Sequence, residues 1–280
     1  MLALLKRNFL LYFRNRSGVF FSLLGALISF VLYIIFLQKN LTDAWAQLPN
    51  SGPVLNNWLM SGTLAVTGIT TSLAALTQLV KDRERQVDQD LYLSDQGKWR
   101  LPFSYLASAI IISFAMQVLM YVLMSAYFRE VPTLALLPEV FLIMLFSSLL
   151  SSLVNAIFVY FFHSVDSLGR FSTIVGTASG FLVGTYVPLG VLPDFAQLLM
   201  KCTPATYIAS LYRQVLMKEA VSETFKGRDD LLREFQEKMG VQLKWQALLT
   251  KEQTYLIVLG GILLALGIWV SLAKRSNKRK

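Results

Sequence analysis

Six long runs of apolar residues divide the sequence, and most of the charged residues lie between those runs. Each run has about the 20 residues that an α-helix needs to cross the hydrocarbon core of a bilayer. Helix is the expected structure, because a backbone in hydrocarbon must satisfy its own hydrogen bonds and these runs lack the alternation of a membrane β-strand. The sequence therefore predicts an all-α polytopic membrane protein with six transmembrane helices. The predicted spans are Ser17–Gln38, Trp58–Val80, Leu101–Phe128, Leu136–Phe162, Phe171–Leu192 and Thr254–Ala273.

The residues before the first span have the pattern of an amphipathic helix. Leu2, Leu5 and Phe9 recur at three- and four-residue spacing on one face. Arg7 and Arg14 lie one heptad apart on another face, so we expect an interfacial helix with both arginines toward anionic headgroups. A cytoplasmic extension of the first span is the alternative. The first span is longer than the roughly 7–15 apolar residues of a signal peptide, which indicates a retained anchor.

Composition supports the membrane assignment, and charge orients the chain. Of the 280 residues, 55% are hydrophobic and 15% are charged, whereas soluble domains average about 45–50% and about 25%. The net charge of +9 comes mostly from basic residues that flank the apolar runs, which indicates membrane topology rather than nucleic-acid binding. If both termini are cytoplasmic, the short outer loops hold only two basic residues, Lys39 and Arg129. We therefore expect both termini inside.

The stretch between the last two spans is the least membrane-like long segment. Asp229 and Asp230 stand at the start of a predicted helix, Lys238 near its end and Gly240 just past it. This order matches the helix dipole and a glycine at the C-terminus. We expect a small helical outer segment on the membrane domain, with a solvated connector as the alternative.

The sequence offers little chemistry of its own. No GxxxxGK[ST] motif occurs, so the chain has no P-loop for ATP. Glu139 is the only acidic residue inside a predicted span, and its place at a helix start explains it without a proton relay. The single Cys202 excludes an internal disulfide, and the single His163 leaves no His-based metal cluster. His163 and Asp166 keep an integral membrane enzyme as an alternative, and a non-transporting sensor or scaffold is another.

Two further features concern packing and partners. Small residues at four-residue spacing permit close helix approach in the fifth span, at Gly176, Gly180 and Gly184. The segment Lys81–Leu91, after the second span, mixes both charge signs densely. That mixture favours a polar protein–protein rim over a lipid surface, although a solvated loop is the simpler interpretation.

The outer end of the fifth span carries the most specific sequence feature. Residues 184–193 read GTYVPLGVLP, and residues 204–213 read PATYIASLYR. With the basic amphipathic N-terminus, the six spans and the charged segment after the second span, the chain resembles the membrane (permease) subunit of type-2 ATP-binding-cassette (ABC) exporters over nearly its whole length. In that family the fifth span ends in a similar Gly/Pro-rich stretch, followed by a Pro–aromatic–Arg segment.

The resemblance implies a transport subunit that is not itself an enzyme. It would pair with a second permease copy or a homologue, and with separate cassette ATPase subunits that bind ATP and magnesium. Residues 81–95 would form the coupling helix, and the loop 163–170 would be a lesser contact. Pro188, Gly190 and Pro193 would belong to a re-entrant outer hairpin that gates the exit. The residues expected to contact the ATPase are Arg83, Glu84, Arg85, Asp88 and Leu91.

The expected mechanism is alternating access. Because the spans lack buried charge, we expect the substrate to be an amphipathic drug, peptide or lipid-linked molecule. The second span, which is rich in small hydroxyl residues, and the fifth span would line the path. The candidates in the second span are Ser61, Thr63, Thr67, Thr70 and Thr71.

The predicted organisation has four parts in the bacterial cell (inner) membrane. Residues 1–16 form the interfacial helix, and residues 17–192 form the first five spans with the coupling segment 81–100. The outer segment covers residues 193–253, and residues 254–280 form the last span and a basic cytoplasmic tail.

Overall fold

A computed structural model describes residues 1–45, 51–93, 97–129 and 133–279 of the chain, and these residues are helical almost throughout. The predicted coupling segment includes residues 94–96 and the predicted tail includes Lys280, which lie outside the described residues. The described helices are α1 (Leu2–Arg14), α2 (Arg16–Leu32), a π-helical turn (Tyr33–Leu37), α3 (Gln38–Ala44), α4 (Ser51–Glu84), α5 (Val87–Leu93), α6 (Gly97–Phe128), α7 (Leu137–Val159), α8 (Val165–Leu182), a 3-10 turn (Leu189–Val191), α9 (Asp194–Lys201), α10 (Pro204–Leu216), α11 (Lys218–Thr224), α12 (Asp229–Lys238) and α13 (Lys251–Arg279).

Within the described residues, five helices are long and apolar enough to cross a membrane. They correspond to the first four predicted spans and the last one, which confirms an all-α membrane protein. The segments are Arg16–Ala44, Ser51–Glu84, Trp99–Phe128, Leu137–Val159 and Lys251–Arg275.

The fifth predicted span is shorter in the structure than in the sequence analysis. Its helix, α8, carries Asp166 and Arg170 in its first turns and ends at Leu182, well before the predicted boundary at Leu192. The chain then turns at Gly184, whose φ of 70° is in the left-handed region that glycine adopts without strain. A count of six spans therefore stays a prediction.

Helix α4 is the centre of the bundle. It contacts α2, α6, α7, α8 and α10, and 83% of its most apolar window is buried. Trp58, Leu59 and Leu64 have no exposed surface. Helices α2 and α13 pack on the outside of this arrangement and show far less burial, as expected of helices with a lipid-facing side.

The two ends of the bundle carry different accessory helices. At one end, α1 lies against α6, α2 and α4, and α5 joins α4 to α6. At the other end, the outer turn (residues 183–193) leads into α9 and α10, and α10 packs against α4, α7 and α13. Helices α11 and α12 with the following loop, residues 218–249, form a cap over that end. Helix α12 and the positive φ of Gly240 (64°) confirm the predicted helix and its glycine end, whereas its place on the outer side of the membrane stays a prediction.

Candidate functional site

A large open groove lies between α2, α4 and α8. It has a volume of about 830 Å³, within the range of roughly 300–1,000 Å³ that is common for small-molecule sites. Every lining residue is uncharged. The lining residues are Gly18, Phe21, Ser22, Leu24, Gly25, Ile28, Leu32, Phe36, Leu37, Thr70, Leu73, Ala74, Thr77, Gly169, Ser172, Thr173, Gly176, Thr177, Phe181, Tyr186 and Val187.

Of the five hydroxyl residues on α4 that were predicted to line the substrate path, one lies on the groove. Thr70 lies on the groove and donates its hydroxyl to the Val66 carbonyl at 3.1 Å. The other four candidate path residues are buried among neighbouring helices. These four are Ser61, Thr63, Thr67 and Thr71.

The three predicted packing glycines have different surroundings. A Cβ at Gly176 would meet open space on the groove, whereas a Cβ at Gly25 would lie 3.1 Å from the Gly176 carbonyl oxygen. The absence of a side chain at Gly25 therefore lets α2 approach α8. A Cβ at Gly180 would overlap the Tyr186 ring, so Gly180 makes room for an aromatic ring that lines the groove. Gly184 supplies the left-handed turn after α8.

The predicted outer-gate residues lie on the outer turn. Pro188 precedes the 3-10 turn, and Pro193 precedes the first residue of α9. A Cβ at Gly190 would lie 2.6 Å from the Lys238 Cα, so glycine allows the turn to press directly on the backbone of α12. Val191 and Phe195 next to it are 70% and 76% exposed. The outer turn is thus held against the cap on one side and apolar on the other.

The predicted ATPase-contact residues divide into two groups, those at the end of α4 and those on the turn and helix that follow it. Arg83 donates to the carbonyls of Tyr160 (3.3 Å) and Phe162 (2.9 Å), at the end of α7. The Glu84 carboxylate accepts from the Val165 N–H at 3.3 Å, at the start of α8. These two side chains therefore fasten α4 to the loop between α7 and α8. The positive charge of Arg83 suits the free carbonyls at the C-terminus of α7, and the negative charge of Glu84 suits the free N–H groups at the N-terminus of α8.

The second group, Arg85, Asp88 and Leu91, lies on the turn and on α5. Arg85 is exposed, as are Gln89 and Asp90, whereas Asp88 is buried and Leu91 is half-buried against the bundle. Helix α5 thus has an exposed polar face and an inner face that contacts α4 and α6. A partner could contact the exposed face and push on both helices at once.

An ion-pair network that sequence reasoning missed lies beside α5. Arg7 on α1 donates two hydrogen bonds to the Asp82 carboxylate, at 2.8 and 2.9 Å. Gln78 and Tyr105 donate to the same carboxylate, whose side chain is 4% exposed. The hydrogen bond to Asp82 raises the pKa of Arg7 above its ordinary value. Arg7 therefore contacts the bundle rather than the headgroups that the amphipathic pattern indicated, while Arg14 is exposed.

A second hydrogen-bond network lies in the middle of the bundle. The fully buried Gln117 on α6 donates to the Ser148 hydroxyl on α7 at 2.8 Å, and its carbonyl oxygen accepts from Tyr212 on α10 at 2.8 Å. Ser113 donates to the Gly68 carbonyl on α4 at 3.1 Å. Four helices are thus joined without any charge. The signal in the sequence was Gln117 itself, the one amide in its apolar run.

The constellation considered for an enzyme is not assembled. The Asp166 carboxylate pairs with Arg170 at 2.8 Å on an exposed helix face, and His163 lies exposed in the preceding loop. Among the described residues, no group of three or more His, Cys, Asp or Glu side chains could hold a metal ion. Glu139 pairs with Lys251 at 2.8 Å, between the ends of α7 and α13.

Comparison with known proteins adds one finding. A family model described as ABC-2 type transporter matches residues 1–217. The match includes α1 to α10 and hence the groove, the α5 connection and both networks. No curated protein and no solved structure matches the chain.

Proposed function

Because the chain belongs to the ABC-2 type transporter family and is therefore a transport permease, we propose that it is the membrane subunit of an ATP-driven exporter. The match over residues 1–217 is the observation that carries the proposal. ATP and magnesium would bind on separate cassette ATPase subunits, since this chain has no P-loop. The proposed location is the bacterial cell (inner) membrane, with both termini in the cytoplasm.

We propose that the groove between α2, α4 and α8 faces a second permease copy or a homologue. Several large apolar side chains on these helices are at least half exposed, including Phe21, Ile174 and Phe181. A second copy would cover this surface and enclose a path between the two grooves. The uncharged lining favours an amphipathic drug, peptide or lipid-linked substrate over a small ion, because an ion would need charged or carbonyl ligands.

The proposed mechanism is alternating access. ATP binding would close two ATPase subunits and displace the exposed face of α5. Since α5 is joined to both α4 and α6, its displacement would reach the central helix that lines the groove. The outer turn and α9, predicted as a re-entrant hairpin, would form the exit gate.

Two other functions remain as alternatives to be tested. An integral membrane enzyme would use His163 and Asp166, but the Asp166 carboxylate is paired with Arg170. A sensor or scaffold would bind a partner without ATP turnover.

The test is co-purification of the tagged chain from membranes, followed by an ATPase assay in lipid nanodiscs. The interface variant is Arg85→Glu, because Arg85 is exposed whereas Arg83 and Glu84 hold the bundle together. We expect recovery of a cassette ATPase with the natural chain and a loss of about tenfold or more with Arg85→Glu.

The matched control is Lys39→Glu, which reverses an exposed charge at the opposite end of the bundle and should leave recovery unchanged. Failure to recover an ATPase with the natural chain under mild conditions would overturn the exporter proposal. Equal recovery with Arg85→Glu would overturn only the assignment of the contact.

A further inference from the structure

Arg213 lies fully buried where the outer turn, the cap and the central helix meet, with 1% of its surface exposed. It belongs to α10, at the end of the sequence stretch shared with the exporter family. Among the residues that the structure describes, no carboxylate forms an ion pair with it. A buried cation without a counter-ion needs other partners, and here these partners are backbone carbonyls and an aromatic ring.

The guanidinium joins two segments that are distant in sequence. One terminal nitrogen, Nη2, donates to the carbonyls of Val183 (3.1 Å) and Gly184 (2.7 Å) in the outer turn. The other, Nη1, donates to the carbonyl of Gly240 in the cap at 3.1 Å. These carbonyls follow the C-termini of α8 and α12, where the helix dipole favours a cation. The planar fork of arginine lets one side chain reach both segments at once.

The cap is held at three consecutive carbonyls. Trp58 on α4 donates its indole N–H to Met239 at 2.7 Å, and Ser210 on α10 donates its hydroxyl to Val241 at 2.7 Å. Arg213 takes the carbonyl between them, and its guanidinium carbon lies 5.1 Å from the centre of the Trp58 ring, a cation–π distance. Of these three side chains, only Arg213 also contacts the outer turn through the hydrogen bonds described above.

We propose that Arg213 is a positioning residue that locks the outer turn to the cap, so that the two move as one body when the exit opens. The cap would then be a working part of the gate rather than an accessory. The contact of Gly190 with the Lys238 backbone supports this, because it brings the backbones of the two segments together at a second point. The gating role rests on the proposed exporter function, whereas the lock itself does not.

Hydrogen–deuterium exchange of the full chain in lipid nanodiscs tests the lock directly. The amides of residues 184–186 in the outer turn donate to carbonyls at the end of α8, and those of residues 239–241 in the cap donate to carbonyls of α12. Their exchange therefore reports local opening. In Arg213→Met, we expect exchange to rise about tenfold or more in both segments. Arg213→Lys should behave in the same way, because an ammonium cannot span the two sets of carbonyls.

Two further variants separate the lock from general loss of stability. Ser210→Ala and Trp58→Phe each remove one hydrogen bond to the cap, so exchange should rise in residues 239–241 and stay unchanged in residues 184–186. Arg170→Met, which removes an exposed arginine, should change neither segment. Equal loosening of the outer turn by Ser210→Ala or Trp58→Phe, or an unchanged outer turn in Arg213→Lys, would overturn the proposal. If Arg213→Met is not recovered as folded protein, Arg213→Lys, Ser210→Ala and Trp58→Phe carry the test, with Arg170→Met as the control.

The gating role has its own readout. With the ATPase partner present, Arg213→Lys should keep ATP turnover within about twofold of the natural chain and lower transport about tenfold or more, since the chemistry is on the partner and the exit is on this chain. Full transport despite faster exchange would overturn the gating role. Absence of any ATPase partner would overturn the proposed function instead and would leave the exchange result standing.

Discussion

The carboxylate of Asp82 joins three helices at the end of the bundle that bears α5. It accepts from Arg7 on α1, from Gln78 on α4 and from Tyr105 on α6. Burial of a carboxylate is unfavourable unless its lone pairs are satisfied, and these donors satisfy both oxygens. Helix α1 is therefore fastened to the base of the α5 connection by charge as well as by apolar contact.

Asp82→Asn should lower the stability of the folded chain markedly. The substitution keeps the shape of the side chain but leaves the partly buried Arg7 without its counter-ion. Because loss of one partner from a buried pair is costly, and Arg7 is 29% exposed, we expect a loss of about 2–3 kcal/mol. Thermal unfolding in detergent should show a midpoint lower by about 5 °C or more.

Asp166→Asn is the matched control. It makes the same chemical change in an ion pair whose side chains are 75% and 80% exposed, so the expected loss is at most about 1 kcal/mol. Similar shifts in the two variants would contradict a special role for the Asp82 network.

The residues of this network show where prediction from sequence ends. The sequence marks Lys81–Leu91 as a dense mixture of charges, but it does not say which charge turns inward. Asp82 turns inward because α1 and α6 bring donors to it, and both lie far from it along the chain. The hydroxyls of α4 pose the same difficulty, since a helix with neighbours on nearly every side has no single face that periodicity can identify.

At the scale of elements, the length of an apolar run was sufficient to locate four consecutive spans and the last one. Run length is a local property, so it needs no knowledge of neighbours. The end of α8 was placed too far along, because Val187, Leu189 and Val191 continue the apolar pattern after the chain has turned at Gly184. Helix α8 with α2 and α4 then forms the groove, which run length alone could not predict.

Gly176→Leu should block transport without unfolding the chain. A side chain at Gly176 would project into open space in the groove, so the folded subunit has room for it. A leucine there would occupy part of the proposed path and obstruct a second copy. We expect transport to fall about tenfold or more, with a thermal midpoint within about 2 °C of the natural chain.

Gly267→Leu on α13 serves as the control for this substitution. Gly267 is exposed, and its Cβ would also meet open space, but it lies away from the groove. Transport should be retained in this variant. Loss of transport in both variants, or in neither, would remove the groove from the proposed path.

At the scale of the whole molecule, the single cysteine gives a direct test of orientation. Cys202 is exposed, between α9 and α10 at the end of the bundle that bears the cap. If both termini are cytoplasmic, this end faces outward. A membrane-impermeant maleimide should therefore label the natural chain in intact cells.

The reverse experiment uses the exposed His163 at the opposite end of the bundle. In a Cys202→Ser background, His163→Cys should be labelled only after the membrane is permeabilised. Labelling of His163→Cys in intact cells, with protection of Cys202, would invert the proposed topology.

The enclosure of α4 has a consequence for how the protein is made. In the finished molecule this helix meets protein on most of its surface, so serine and threonine are tolerated there, and α4 has the lowest hydropathy of the five candidate spans. During synthesis, however, α4 emerges from the ribosome before α6, α7 and α10 exist. Because α4 is the least apolar of these spans, we expect its entry into the bilayer to gain more than theirs from a neighbour already in place, which is α2. The sequence of the central helix is thus adapted to its final neighbours at the expense of its own biogenesis.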